Sequence, residues 1–198
     1  MKRVLSFIFV LVILFGCAGR EVTRVSSDKQ TDYSGRWNDT DSKLVAREMI
    51  GQLLSSAWVD DFRQSQGEKP VVIVGSVRLK EASEHINTSA FIKDIEREMI
   101  NSGKVRFVAN SAERGELRQE RIEQQTNASV ETAKRLAAET GADFMLIGNI
   151  VTFIDEYDKQ KAKFYQVDLE MINVESNEKI WIGSKEIKKL IGKKSSKW

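Results

Sequence analysis

The chain opens on a pattern found nowhere else in it. Met1-Lys2-Arg3 precedes Val4 to Phe15, a run of 12 positions that is apolar except at Ser6, and Gly16, Gly19, Arg20 and Glu21 end it. A spanning helix needs about 17 to 25 apolar residues, so this run is too short to cross a bilayer. A positive start before a short apolar run is instead the pattern of a secretory signal. Ala18 to Asp32 is polar and aperiodic and ends in Ser26-Ser27-Asp28-Lys29-Gln30-Thr31-Asp32, the composition of a solvated tether. Such a segment extends at most to roughly 50 Å and averages nearer 20 Å as a coil. From Tyr33 onward one folded unit is expected, with no second linker and no internal repeat.

Within that unit, Asp39-Thr40-Asp41-Ser42 offers cap residues, and Leu44, Val45, Met49, Leu53, Ala57 and Trp58 recur near helical spacing. They predict a helix to about Ser65, ended by Gly67 and Pro70. Val71-Val72-Ile73-Val74 reads as a strand covered on both faces and is expected to be the central one. A second helix is predicted after Asn87 or Thr88, burying Phe91, Ile92, Ile95 and Met99 and stopping at Gly103. Val105 to Val108 is a short strand, and two helical stretches follow at 111–125 and 129–140. Phe144 to Ile154, the alternating Tyr165 to Met171, and a strand through Ile180-Trp181-Ile182 to about Leu190 complete the unit. Asn177, in the last turn, suits a positive φ. The fold class is therefore α/β (α+β), a mixed sheet with flanking helices and a C-terminal antiparallel meander of three strands.

Composition removes whole classes of chemistry. One Cys and one His occur in the chain, too few for a zinc cluster, a disulfide framework or a Ser/His/Asp system built on several such residues. His85, with Glu81 one helical turn away, is expected to be a surface histidine. No G-x-x-x-x-G-K-[ST] or G-x-G-x-x-G stretch occurs, which leaves nucleotide binding without a motif. Asp60-Asp61 and Asp155, Glu156, Asp158 are carboxylate groups of the kind glycan hydrolysis needs in pairs, but with 29 acidic residues in the chain such groups arise as ordinary solvation. No enzyme activity, metal or cofactor is expected. Removal of Lys2 and Arg3 with the signal leaves 29 basic against 29 acidic residues, a balance that gives nucleic-acid binding no support. Lys188, Lys189, Lys193, Lys194 and Lys197 crowd the last eleven residues without an acid and read as a solvated terminus able to touch an anionic surface.

Leu14-Phe15-Gly16-Cys17 resembles the lipobox of bacterial lipoproteins, with Phe15 a departure from the usual small or β-branched residue. The resemblance implies cleavage before Cys17, acylation of that residue, and a division into signal peptide 1–16, lipidated Cys and tether 17–32, and domain 33–198. Acyl chains contribute about 0.8 kcal/mol per buried CH₂, enough for several chains to anchor a protein without a spanning helix. Ala18 in place of Asp fits sorting to the outer membrane.

Four further segments carry a wider resemblance: Ser34-Gly35-Arg36-Trp37-Asn38-Asp39-Thr40-Asp41-Ser42, Asn101-Ser102-Gly103-Lys104-Val105, Gly141-Ala142-Asp143-Phe144-Met145-Leu146-Ile147-Gly148, and Ile172 to Lys185. In this order behind a lipobox they resemble the penicillin-binding protein activator LpoB family. The resemblance implies a fold like the N-terminal domain of TolB and a non-catalytic outer-membrane lipoprotein. It further implies that the domain faces the periplasm, binds a bifunctional penicillin-binding protein and stimulates peptidoglycan synthesis. The family's best-known members carry a long, Pro-rich tether, whereas the one here is short and lacks Pro. A structural or assembly accessory with a nearby envelope partner is the alternative reading. Arg36, Trp37 and Trp181 are the interface candidates, since Trp and Arg are enriched at binding hot spots; packing roles for Trp37 at the first helix and Trp181 on the sheet stand beside that reading.

Overall fold

A computed structural model describes residues 22–26, 29–81, 84–109, 113–117, 141–157 and 160–192. The lipobox, most of 111–140 and the last six residues lie outside them. Residues from Thr31 onward form one compact unit. Its elements are α1 (Asp39–Ser55), α2 (Trp58–Gln66), β1 (Val71–Lys80), α3 (Thr88–Ser102), β2 (Arg106–Phe107), β3 (Phe144–Tyr157), β4 (Gln160–Asn173) and β5 (Lys179–Gly192); residues 113–117 are also helical.

The sheet runs β2-β1-β3-β4-β5. β1 pairs in parallel with β2 and β3, while β3, β4 and β5 form an antiparallel meander. The central strand is thus β3 rather than β1. Residues 71–74 are buried as expected, but burial on two faces reports cover by other layers and not position in the strand order. One face of the sheet carries α1 and α3. Val45, Met49 and Leu53 from α1 meet Phe91, Ile95 and Met99 from α3 over Leu146, Ile150, Tyr165, Val167, Leu169 and Met171, all buried.

The first helix is capped by Asn38, whose side chain accepts from Thr40 N and Asp41 N while Asp41 accepts from Asn38 N. This reciprocal box satisfies N–H groups that would otherwise be orphaned. The single long helix expected to Ser65 is two helices. At the joint, Ser56 N, Ser56 Oγ and Trp58 Nε1 all donate to Leu53 O, the last two at 2.6 and 2.8 Å. That carbonyl would have accepted from Ala57 N in a continuous helix. The turn lets Trp58 bury itself against Phe144, ring centroids 5.0 Å apart.

The segments that carried the family resemblance prove to be joints. Gly103 takes φ 63 and ends α3, and the neighbouring Lys104 Nζ donates to Leu54 O at 2.9 Å, closing the end of α1. Asp143 Oδ2 accepts from Val71 N at 2.7 Å while Asp143 N donates to Val71 O, so one residue aligns the starts of β1 and β3. Gly148 is required by close approach: a Cβ there would lie 2.5 Å from Asp168 O. Between β4 and β5, Asn173 Oδ1 accepts from Glu175 N and Ser176 N, and Asn177 adopts φ 63 as its residue type allows.

Candidate functional site

Thr31 to Asn38 forms a strap that crosses the inner face of β4 and β5 before α1 begins. Beneath it lie charges at positions where the sheet points inward. On β4 the inward series is Lys163, Tyr165, Val167, Leu169, Met171; on β5 it is Trp181, Gly183, Lys185, Ile187, Lys189. Lys163 and Lys189 are both buried, and a buried ammonium persists only when paired and hydrogen-bonded.

Each has its partners. Lys163 Nζ forms a short ion pair with Glu84 Oε2, both side chains under a tenth exposed. Glu84 Oε1 accepts from Tyr165 Oη at 2.6 Å and from Trp37 N at 2.9 Å. Lys189 Nζ donates to Asp41 Oδ2 at 2.6 Å, Asp32 Oδ2 at 2.8 Å and Arg36 O at 2.9 Å, which uses all the donors an ammonium has. Asp32 Oδ1 accepts from Gly35 N, turning the strap back on itself, and Gly35, at φ 63, packs directly on Ile191.

The electrostatics lock these ionisation states. Burial opposes the charge on Glu84, but Lys163, Tyr165 and the Trp37 N–H outweigh it and hold the carboxyl below its usual range. Burial, reinforced by Glu84, pushes the Tyr165 hydroxyl far up. For Lys189 burial favours the neutral amine, and the hydrogen bonds it donates to Asp32 and Asp41 overcome this and raise the ammonium's pKa. A general acid or base works best near the operating pH; these groups are driven the other way, and the arrangement holds the strap to the sheet.

Among the expected site residues, Cys17, Leu14, Phe15 and Gly16 lie outside the described residues. Arg36 is exposed on the strap. Trp37 is partly buried, edge-on to Phe91 and Tyr165 with ring centroids 5.8 and 5.6 Å away. Trp181 is partly buried opposite Met171, its ring over Gly183, where a Cβ would strike it. Trp37 sits over Tyr165, which pairs with Ile187, so Trp181 lies six residues, about 20 Å, further along β5. The structure joins Arg36 and Trp37 and leaves Trp181 apart. His85 and Glu81 are exposed. Asp60 and Asp61 stand in the first turn of α2, while Asp155 lies near the far end of β3, so they do not converge; Asp158 lies outside the described residues. No group of three potential metal ligands occurs among the described residues. Lys189, expected in a solvated tail, is buried and paired; its phase on β5 decides this, not its distance from the terminus. Glu84, Lys163 and Tyr165 were not foreseen, and their one sequence signal is a lysine in phase with the inward apolar series of β4.

A second concavity, about 360 Å³, is lined by Ile73, Gly75, Ser89, Ile92, Lys93 and Met145 among others. The carboxylates of Glu113 and Glu96 push the Lys93 ammonium up to about 12.

No curated protein sequence matches the chain. Solved structures to which it is similar include the LpoB C-terminal domain from Escherichia coli, at 15% identity and TM-score 0.46, covering 74% of this chain and 98% of that one. The NMR structure of E. coli LpoB matches at 14% identity and TM-score 0.42, with 90% and 87% covered. The LpoB C-terminal domain from Salmonella enterica matches at 19% identity and TM-score 0.34, with 65% and 91% covered. The model of the family described as peptidoglycan-synthase activator LpoB matches residues 41–187, from the capping box of α1 to the strand that carries Lys185 and Ile187. With that match spanning most of its length, the chain belongs to the LpoB family of peptidoglycan-synthase activators.

Proposed function

We propose that this protein is an outer-membrane lipoprotein, anchored through acylated Cys17, whose periplasmic domain binds a bifunctional penicillin-binding protein and raises its rate of glycan polymerisation. The observation that carries the reading is the family match over 41–187 behind a lipobox at Leu14 to Cys17. The domain acts by contact, shifting its partner toward an active state, and needs no cofactor. Arg36 is the interface candidate whose side chain stands in solvent; Trp37 and Trp181 shape the surface from beneath.

The test has two arms. Purified protein added to a bifunctional penicillin-binding protein is expected to accelerate polymerisation of lipid-linked disaccharide, and an unchanged rate would defeat the activator role. Cys17→Ala is expected to leave an unacylated precursor, and fatty-acid labelling that persists after this change would defeat the anchor. The short tether favours one second reading, an accessory to envelope assembly. Brief crosslinking in cells followed by capture of the lipidated protein separates the two, since recovery of outer-membrane neighbours without a penicillin-binding protein assigns the accessory role.

A further inference from the structure

The end of the sheet at the β3–β4 turn gathers apolar side chains into solvent. Phe153 is 50% exposed and Leu190 80%. They share one face: Phe153 pairs with Phe164, Phe164 with Lys188, and Ala162 with Leu190. A concavity of about 340 Å³, lined by Asp155, Ala162 and Leu190 among others, opens on this patch. Tyr33, 96% exposed, belongs to the same end, because Lys189 holds its neighbour Asp32 and Ile191 packs on Gly35. Arg36 and Lys188 are exposed here, and neither makes an ion pair among the described residues. Gly192 is followed in sequence by Lys193, Lys194 and Lys197 with no acid.

Aromatic and aliphatic tips beside Lys188 on the outer face of this end, with the strap's Arg36 on the inner face and the acidic Asp155 and Glu156 also exposed there, suit the headgroup layer of an anionic bilayer. The covalent route to that bilayer leads to the same place. The polar segment that follows Cys17 joins the domain at Thr31, whose carbonyl accepts from Asn38 Nδ2 at 3.3 Å, and the next residue is fixed to Lys189. A domain held by this end presents it first to the membrane. A short flexible tether confers an effective concentration on the order of millimolar, so a contact of only millimolar intrinsic strength is occupied about half the time.

We infer that this end of the sheet is a second membrane-contact surface, at which Tyr33, Phe153 and Leu190 enter the headgroup layer of an anionic leaflet and Lys188 meets its phosphates. The inference rests on the lipid anchor proposed above. Docked in this way, the domain turns its opposite end, with α2 and the β4–β5 turn, toward the cell wall.

The test uses the lipidated protein in mixed phosphatidylethanolamine and phosphatidylglycerol vesicles. Because Cys17 is the single cysteine and is acylated in this form, an introduced cysteine is the one thiol that takes a fluorescent label. Gln160→Cys marks the hairpin end and Gln64→Cys marks α2 at the other end, where Phe62 packs on Phe144. Brominated lipid is expected to quench the label at 160 and spare that at 64. Lys188→Gln is expected to lower the ratio of docked to undocked domain about fivefold, and Phe153→Asp or Leu190→Asp to abolish quenching while the protein still floats with the vesicles. Flotation with equal quenching at both positions overturns the inference and leaves the anchor standing. Failure to float overturns the anchor and the inference with it. Sedimentation with purified cell-wall sacculi that Lys188→Gln abolishes, without quenching, assigns the surface to wall polymer and overturns the lipid contact.

Discussion

Glu84 holds three donors in a place water barely reaches, so its loss is felt beyond one ion pair. Glu84→Gln keeps the shape but leaves the Lys163 ammonium buried without a counter-charge, and breaking a buried pair from one side costs about 3 to 5 kcal/mol. Urea unfolding is expected to show that loss, and a change within about 0.5 kcal/mol would mean that the cluster is not holding the strap. The pH dependence follows from the direction of each shift. Glu84 has its folded pKa depressed, so its contribution is complete above its ordinary value of 4.5 and is lost as pH falls through the lowered folded value. Lys189 has its folded pKa raised, so its contribution is complete below 10.5 and is lost as pH rises through the raised value. Unfolding midpoints are expected to form a plateau across neutral pH, with the acid limb flattened in Glu84→Gln and the alkaline limb retained. Little of this cluster was legible in the sequence. Glu84 carried no reading in the sequence, because the 81 positions separating it from its hydroxyl donor leave no local trace.

At the scale of elements, legibility follows how local the cause is. Asn87 and Gly103 set the ends of α3 through contacts within three residues, and the predicted bounds stand. Asn177 likewise carries its own turn. The joint at Ser56 was illegible because Ser56, Ala57 and Trp58 contain no helix breaker; convergence on Leu53 O and the pull of Phe144 on Trp58 decide it. Strand order is less local still, since nothing in residues 71–74 records that β3 pairs in parallel on one side and antiparallel on the other. The cap of α1 falls between these cases. Its reading at Asp39 to Ser42 missed Asn38 by one position, although Asp41 is the second half of the box. Asn38→Ala removes an acceptor for Thr40 N and Asp41 N, and such losses cost about 1 kcal/mol. Asn38→Ala is therefore expected to lower stability by that amount, and Asn38→Ser, which keeps the acceptor, to restore most of it. Equal stability of the two variants would show that the ion pair of Asp41 with Lys189 holds the start of α1 without the cap.

The whole molecule sets a constraint that neither residues nor elements reveal. The proposed tether of about 15 residues reaches roughly 50 Å at full stretch and loses entropy well before that. Polymerisation measured with purified components has no distance to span, whereas the same contact in a cell must be made across whatever separates the two anchors. The proposed activator therefore predicts a split between two measurements when the tether is altered. A Pro-rich, extended insert of about 40 residues adds on the order of 120 Å at 3.1 Å per residue. If placed after Ala18, it is expected to leave stimulation in solution unchanged and to raise the yield of synthase crosslinked in cells. It is also expected to weaken membrane docking of the domain, because effective concentration falls roughly as the −3/2 power of tether length. An insert that leaves the crosslinking yield unchanged would mean that the native reach already suffices, and an insert that lowers it would place the partner beside the anchor. In that last case the contact surface should be sought on the membrane-facing end, around Arg36, and not on the end that carries α2.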